Sequence, residues 1–393
     1  MEDLRLRFLS TDCAALDETT QVNLMDVRIQ KMAQVLIHYS TAVRPGDRVL
    51  LRGTSPLAQP LMKALYEEAL RAGAQVFNYV HMSEEKSIVI HAGTEAQIEA
   101  VNPMLKLMYD TADVIIRIEA DENSQAMAGA PVDKAKAWIR AYGALINIQS
   151  EREAAGTLRR CTTLFPTQAY AQDAAMSLRD YEDFVYGACM IDLDDPVAYW
   201  LQVAAEQQKL CDSLRGHKRL QVHGQNIDLE MSIEGRIFEN ADGKFNFPDG
   251  EIFTGPVEDS VNGWVRFTFP AIYQGNVVNG IQLKFEKGLI VEATAEKNET
   301  FLHAMLDTDA GSRRLGEFAI GTNQGINRFT GQILFDEKIG GTVHMAVGSS
   351  YPNTGAVNKS SVHWDMICDM RDGGEILVDG KRFYENGRFL TTG

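Results

Sequence analysis

The chain has no C-x-x-C pair, and its five cysteines, Cys13, Cys161, Cys189, Cys211 and Cys368, are odd in number and widely spaced. That excludes a thiolate zinc site or a disulfide framework as the organising element, and a reducing cytoplasm is the expected compartment. Neither G-x-G-x-x-G nor a P-loop occurs, so no glycine cradle for a nucleotide phosphate is expected. The H-E-x-x-H helix of the zincins is missing, as is the G-x-S-x-G elbow; serine or cysteine nucleophilic catalysis has no support. No apolar stretch approaches the roughly 20 residues that span a bilayer. The start, Met1-Glu2-Asp3-Leu4-Arg5, lacks the basic-then-apolar layout of a secretory signal, and no membrane partner is expected. Positive charge is also short: 38 Lys and Arg against 54 Asp and Glu give a net charge of −16, which argues against nucleic acid as a partner.

What is present is an ordinary globular composition, 45% hydrophobic and 23% charged, with apolar content enough for packed cores. At 393 residues the chain exceeds one core, and two domains are expected, 1–215 and 216–393. The first alternates helix and strand signals. Helical spacing runs from Val22 to Val43, a buried strand follows at Arg48-Val49-Leu50-Leu51, and a helix carries Leu57, Leu61, Leu65 and Ala69 on one stripe. Gln75 to Val80 and Asp113 to Ile118 read as further strands, and Val132 to Tyr142 as a helix. Strand, helix, strand with short links predicts a parallel sheet covered by helices. The first strand-to-helix loop, Arg52-Gly53-Thr54-Ser55-Pro56, reads as a turn with a Ser cap. Asp195-Pro196 opens a helix to about Leu214. Beyond Gly216, strand-like runs at 220–222, 227–231, 265–269, 280–285, 289–293 and 316–320 are parted by Gly and Asn turns, with one helix around Glu299 to Leu306. The second domain is therefore expected to be mostly antiparallel β.

Four short segments in the last third hold the chemistry. His363 and Asp365 stand two apart in the run Val362-His363-Trp364-Asp365-Met366-Ile367; in a strand both side chains point to one face while Val362 and Trp364 pack behind. Glu251 and Glu317 each stand between a glycine and an apolar residue, in Gly250-Glu251-Ile252-Phe253 and Gly316-Glu317-Phe318. A carboxylate buried there calls for a cation or an altered pKa. His344 follows Gly340-Gly341-Thr342-Val343, and Tyr351 comes seven residues later. Each feature alone has a bland reading: a solvated glutamate, a surface H-x-D pair, a buried histidine bonded to backbone. Together two Glu, two His, one Asp and one Tyr suit a pair of divalent ions better than one. His38, His81, His91, His217, His223 and His303 show no such arrangement, and Cys368 reads as a buried bystander.

At these residues the chain closely resembles the thermophilic-type metalloaminopeptidases, the aminopeptidase T / aminopeptidase S family. The likeness rests on Gly250-Glu251-Ile252-Phe253-Thr254-Gly255-Pro256, on Leu315-Gly316-Glu317, and on Asn358-Lys359-Ser360-Ser361-Val362-His363-Trp364-Asp365. It extends to Phe165–Gln172 and to Arg44-Pro45-Gly46-Asp47. The resemblance implies an α/β N-terminal domain, a C-terminal domain bearing two metal ions, and a homodimer around an enclosed cavity. By that likeness Glu251, Glu317, His344, Tyr351, His363 and Asp365 align with the ligand positions. One departure bears on the geometry at His344 and on substrate preference. The family wording Asp-Glu-Asn-Ala-Ala-Cys-His becomes Asp336-Glu337-Lys338 followed by the longer Ile339–Val343.

The expected function is removal of N-terminal residues from peptides with a free amine, by a water activated between two divalent ions (Zn, Co, Mn or Mg). Glu251 or Glu317 would move the proton, and Tyr351 would be a ligand or a hydrogen-bond donor to the tetrahedral intermediate. The alternative enzyme is an Fe(II) ring-cleaving dioxygenase of the dihydroxypyridine type, with His344, His363 and Asp365 as its triad; the two glutamates speak against it. A third reading, a peptide-binding protein with a decayed site, has all six ligands against it.

Overall fold

In the computed structural model, which describes residues 26–390 apart from 128 and 129, the first half folds around a parallel sheet. Its strand order is Gln75–Val80, Arg48–Gly53, Val114–Glu119, Arg159–Leu164, with the short strand Asn246–Phe247 added at the edge. Strand alternation sends Val49, Leu51, Val114 and Ile116 to one face against Leu36, Leu61 and Leu65. Leu50 and Ile115 go to the other, against Leu105, Tyr109 and Leu145. Burial on both faces accounts for the unbroken apolar runs of these strands.

The helices follow the expected order with shifted ends. Of the helix expected over 22–43, residues 22–25 lie outside the described residues, as does Cys13. Val27–Gln34 is α-helical and Val35–Ser40 continues as a wider π turn. Asp26 caps it, accepting from the Arg28 N–H at 2.9 Å. Ser55 accepts from the Leu57 N–H at 3.1 Å, so the first strand-to-helix loop is a capped turn. The helix behind it runs Gln59–Arg71. Val132–Ala154 outlasts the expected stop at Tyr142: Leu145 and Ile148 pack under the sheet, and that burial carries the helix through Gly143. Asp195 caps Pro196–Leu214, accepting from the Ala198 N–H at 2.9 Å.

The second half is antiparallel, as expected. An eight-stranded sheet runs in the order Leu289–Thr294, Gln282–Glu286, Asn262–Arg266, Ile227–Ser232, Arg219–Gly224, Glu375–Val378, Lys381–Glu385, Arg388–Phe389. A five-stranded sheet has the order His363–Asp369, Thr342–Gly348, Leu315–Gly321, Glu251–Thr254, Glu239–Ala241. The strand expected over 265–269 ends at Arg266, because the Thr268 N–H crosses to the Ile367 carbonyl of the five-stranded sheet at 3.0 Å. Between the two sheets lies the largest core: Val222, Leu229, Leu283 and Phe285 from one, Phe318, Ile320, Met345, Val347, Trp364 and Met366 from the other.

The two halves interlock. Phe247 and Trp200 meet at 5.3 Å between ring centroids. Tyr170, Tyr181 and Phe184 pack with Leu334, Phe335 and Ile339. This contact brings the 333–339 segment over the outer face of the five-stranded sheet, where the functional residues stand. Among the described residues no helix is long and apolar enough to cross a membrane.

Phe285 is 1% exposed and central to the sandwich. Replacing it with Ala is expected to lower unfolding stability by about 3–5 kcal/mol, read from the urea midpoint. A loss below about 1 kcal/mol, the size of a surface substitution or less, would mean the sandwich does not set the stability of this half.

Candidate metal centre

The period of two in a strand sorts the five-stranded sheet into an apolar face and a polar one. Val343, Met345 and Val347 point into the sandwich, as do Trp364, Met366 and Cys368, and Ile252. Their alternates, His344, His363, Asp365 and Glu251, therefore share the opposite face. Glu317 joins them as the alternate of Phe318 and Ile320, both in the core. The register shifts between Leu315 and Glu317, and this bulge at Gly316 brings Leu315 to the core face as well. Only glycine fits there: a Cβ on Gly316 would meet the Ser349 carbonyl oxygen at 2.3 Å.

Room for the polar side chains comes from their cross-strand partners. Asp365 stands opposite Ala346, itself opposite Glu317; His363 faces Gly348, His344 faces Ala319, and Glu251 faces Gly321. Small residues at every one of these positions leave a hollow in which side chains from four strands converge.

His344 Nε2 lies 3.7 Å from Glu317 Oε1 and 3.9 Å from Asp365 Oδ1; His363 Nε2 lies 3.2 Å from Glu317 Oε2 and 3.6 Å from Asp365 Oδ1. Most of these gaps exceed hydrogen-bond length. They match the roughly 3.4 Å that separates two donors held tetrahedrally at metal–ligand distance from one ion. Both imidazoles are aimed from behind. His344 Nδ1 donates to the Glu337 carbonyl and His363 Nδ1 to the Ser349 carbonyl, each at 2.8 Å, which leaves both Nε2 atoms facing the carboxylates.

Two sets of three donors lie within 4.8 Å of one another, Glu317/His363/Asp365 and Glu337/His344/Asp365. Asp365 belongs to both. Buried Glu251 Oε2 and Asp365 Oδ1 have no hydrogen-bond partner, although Glu251 Oε2 is 3.5 Å from His344 Nδ1. Orphaned carboxylate oxygens in a buried hollow of His, Asp and Glu fit a divalent cation.

The field of the site is visible in its titrations. Burial alone would lower both imidazole pKa values, but the carboxylates facing them outweigh it: Glu251, Glu317 and Asp365 push His344 up to about 10, and Asp365 and Glu317 do the same for His363. Burial works to raise Glu317, yet the imidazoles of His344 and His363 that face it bring it down to about 2. Asp365 is pushed up to about 6 and Glu251 well above the carboxylate range, both chiefly by burial.

Five of the six residues expected at the site thus meet within a few ångströms. Tyr351 stands at the rim: 43% exposed, its hydroxyl 3.5 Å from His363 Nε2 and its ring against Phe253. Burial of its hydroxyl end and the facing Glu317 and Asp365 hold the phenol well above its usual pKa, so it is a neutral donor. The Asn-x-Ser part of the last segment turns out to be scaffolding. Asn358 donates to the Gly311 carbonyl at 3.0 Å and also to that of Gly348, and Ser360 donates to Asp309 at 3.1 Å, fixing the loop that leads into His363.

Two residues were not expected. Glu337 joins one donor set, and Lys338 is fully buried among carboxylates. Its ammonium contacts Glu337 and lies 3.9 Å from Glu251 Oε1 and 4.0 Å from Asp249 Oδ1. The available signal was their bracket: three charged residues in a row, Asp336-Glu337-Lys338, between Phe335 and Ile339, both buried. The longer stretch after Lys338 is taken up by a turn at Gly340 and Gly341, whose N–H groups bond the Asn323 and Gly321 carbonyls. His344 keeps its place on the strand.

The family model of the thermophilic metalloprotease (M29) matches residues 25–389. Aminopeptidase 2 of Geobacillus stearothermophilus is 30% identical over 409 aligned residues, 92% of this chain and 97% of that protein. Aminopeptidase T of Thermus thermophilus is 28% identical, over 91% and 95% of the two chains. Among solved structures, wild-type AmpT from Thermus thermophilus superposes with a TM-score of 0.82 at 23% identity, covering 93% of this chain and 99% of its own. A 2,5-dihydroxypyridine dioxygenase from Pseudomonas putida KT2440 shares the fold more loosely, with a TM-score of 0.57 at 15% identity over 92% and 96%.

A cation that binds His344 and His363 must displace their protons. Titration calorimetry at pH 7.5 in buffers of different ionisation heat is expected to show net proton release on addition of zinc. In chelator-stripped protein the imidazole contribution to stability is complete below the unfolded value of 6.5 and lost as pH climbs through about 10. Its melting temperature should therefore fall from pH 7 to 10 more steeply than that of zinc-loaded protein. Parallel pH profiles and no proton release would place the imidazoles outside the ion's reach.

Proposed function

The chain belongs to the thermophilic metalloprotease (M29) family, metal-dependent hydrolases of peptide bonds, and from that premise we propose that it is an aminopeptidase working with two divalent ions. The relatives carrying the name aminopeptidase match nine-tenths or more of the chain, which supports the N-terminal preference. The observation that carries the two-ion reading is the sharing of Asp365 between two donor sets. Charge supports it as well. The site and its margin hold five carboxylates, Asp249, Glu251, Glu317, Glu337 and Asp365, and one ammonium, Lys338; once both imidazoles have given up their protons, the four negative charges left over are what two divalent ions neutralise.

One position would be held by Glu317, His363 and Asp365, the other by Glu251, Glu337, His344 and Asp365. Bound there, the ions would supply Lewis acidity toward the scissile carbonyl and a water activated at neutral pH. The protein's own residues do the rest. Glu317 has an imidazole facing each oxygen and would hold an ion at the first position. Glu251 keeps one buried oxygen without a partner, which makes it the carboxylate best placed to carry the proton toward the leaving amine. Tyr351, a neutral donor at the rim, is positioned to hydrogen-bond the oxyanion that develops at the attacked carbonyl. A free substrate amine would find its counter-charge among the remaining carboxylates, which an acylated terminus could not use.

The dioxygenase reading has the triad His344, His363 and Asp365, and a shared fold, in its favour. Buried Glu251 and Glu317 and half-buried Glu337 are surplus to a one-iron site, and aminopeptidase is the reading retained.

Chelator treatment is expected to abolish cleavage of aminoacyl amides, with recovery on adding Zn, Co, Mn or Mg, while N-acetylated peptides stay intact throughout. Full activity in stripped protein would sink the proposal. Asp365→Ala, which removes a shared ligand, should lower kcat/KM by more than about 100-fold, beyond the range seen for outer-shell changes. Tyr351→Phe should lower kcat with little change in KM.

A further inference from the structure

Lys338 is the one fully buried lysine among the described residues, and the mechanism above makes no use of it. Its ammonium is shared by three carboxylates from two parts of the chain: Glu337 beside it, Glu251 on its strand, and Asp249 in the turn just before that strand. Asp249 has other partners, the N–H groups of Gly243 at 3.3 Å and Gly250 at 3.1 Å. Glu251 and Glu337 are different, because both belong to the hollow where cations are expected.

The division of Glu251 is informative. Its Oε1 faces Lys338 and its Oε2 turns toward His344 without a hydrogen bond. Lys338 thus holds one oxygen of a candidate ligand and orients the other. The set Glu317/His363/Asp365 has no such neighbour: its charged contacts are His344 and its own members.

We infer that Lys338 is a built-in cation of the centre, a positioning residue that ranks its two ion positions. The Glu317/His363/Asp365 position binds tightly, and the position that uses Glu251 and Glu337 binds weakly and exchanges its ion. This rests on the two-ion reading. A cation entering beside Glu251 and Glu337 must share their charge with a fixed ammonium that it also repels. Lys338 therefore has opposite effects on two states. With no ion it compensates carboxylates that would otherwise be buried together unpaired; with ions it opposes the second.

The test compares chelator-stripped wild type with Lys338→Met and Lys338→Gln, titrated calorimetrically with cobalt alone, and records melting temperatures before and after. In wild type the second ion should bind at least about tenfold more weakly than the first. In the variants the second step should tighten at least about tenfold with the first unchanged, while the stripped variants melt lower than stripped wild type and regain the deficit on loading. A generally damaged variant would bind both ions worse, and that outcome overturns the inference. Gln keeps a polar group in the space and guards against a variant that fails to fold. Wild type taking one ion and the variants two would support Lys338 as the residue that excludes the second, and would refute the two-ion reading for the native enzyme alone. Two equal steps unaffected by either substitution would overturn the role of Lys338 and leave two ions standing. One ion in every protein would end both.

Discussion

Five carboxylates on or beside one face of a sheet, with a single lysine ammonium and two imidazoles to answer them, is the constraint from which the rest of this molecule follows. Such a set is not stable in an apolar interior without cations, and the protein builds its neighbourhood to make their entry possible. Imidazoles are aimed by backbone carbonyls, two carboxylate oxygens are left without partners, and Gly or Ala stands opposite each of these side chains on at least one neighbouring strand. The eight-stranded sheet lies on the opposite side, burying Trp364, Met366 and Val347. Rigid packing there fixes the backbone from which ligands project, which matters for a centre whose donors must hold their places before an ion arrives.

How much of this was readable in the chain depended on periodicity. His363 and Asp365 fell to one face because a strand repeats every two residues, and the apolar Val362 and Trp364 between them marked the other. The paired elements of the first half were visible for a related reason: runs such as Val49-Leu50-Leu51 and Val114-Ile115-Ile116 have no polar side to expose and so belong to a sheet buried on both faces. Helix Glu299–Leu306 and the Asp195 cap also appear where local signals put them.

What was hidden lay where periodicity breaks. Gly316 looked like an ordinary strand glycine, yet it is a bulge that puts Leu315 on the same face as Phe318. Glu337 and Lys338 sit in a turn after the short helix Ile333–Asp336, where no repeat announces which side chain is inside, and charged residues there are solvated far more often than buried. The π turn at Val35–Ser40 and the extension of the helix to Ala154 were set by tertiary burial that no local rule encodes. Family likeness pointed to the candidate ligands across these gaps, but not to the ammonium beside them.

The joint between the halves has a mechanical side. Asn246–Phe247 is hydrogen-bonded into the parallel sheet and Glu251–Thr254 into the antiparallel one, and only Pro248, Asp249 and Gly250 separate them. A leash so short transmits displacement. Any shift of the first half against the second would reach Glu251 through three residues, so the place of that carboxylate is set from both sheets at once.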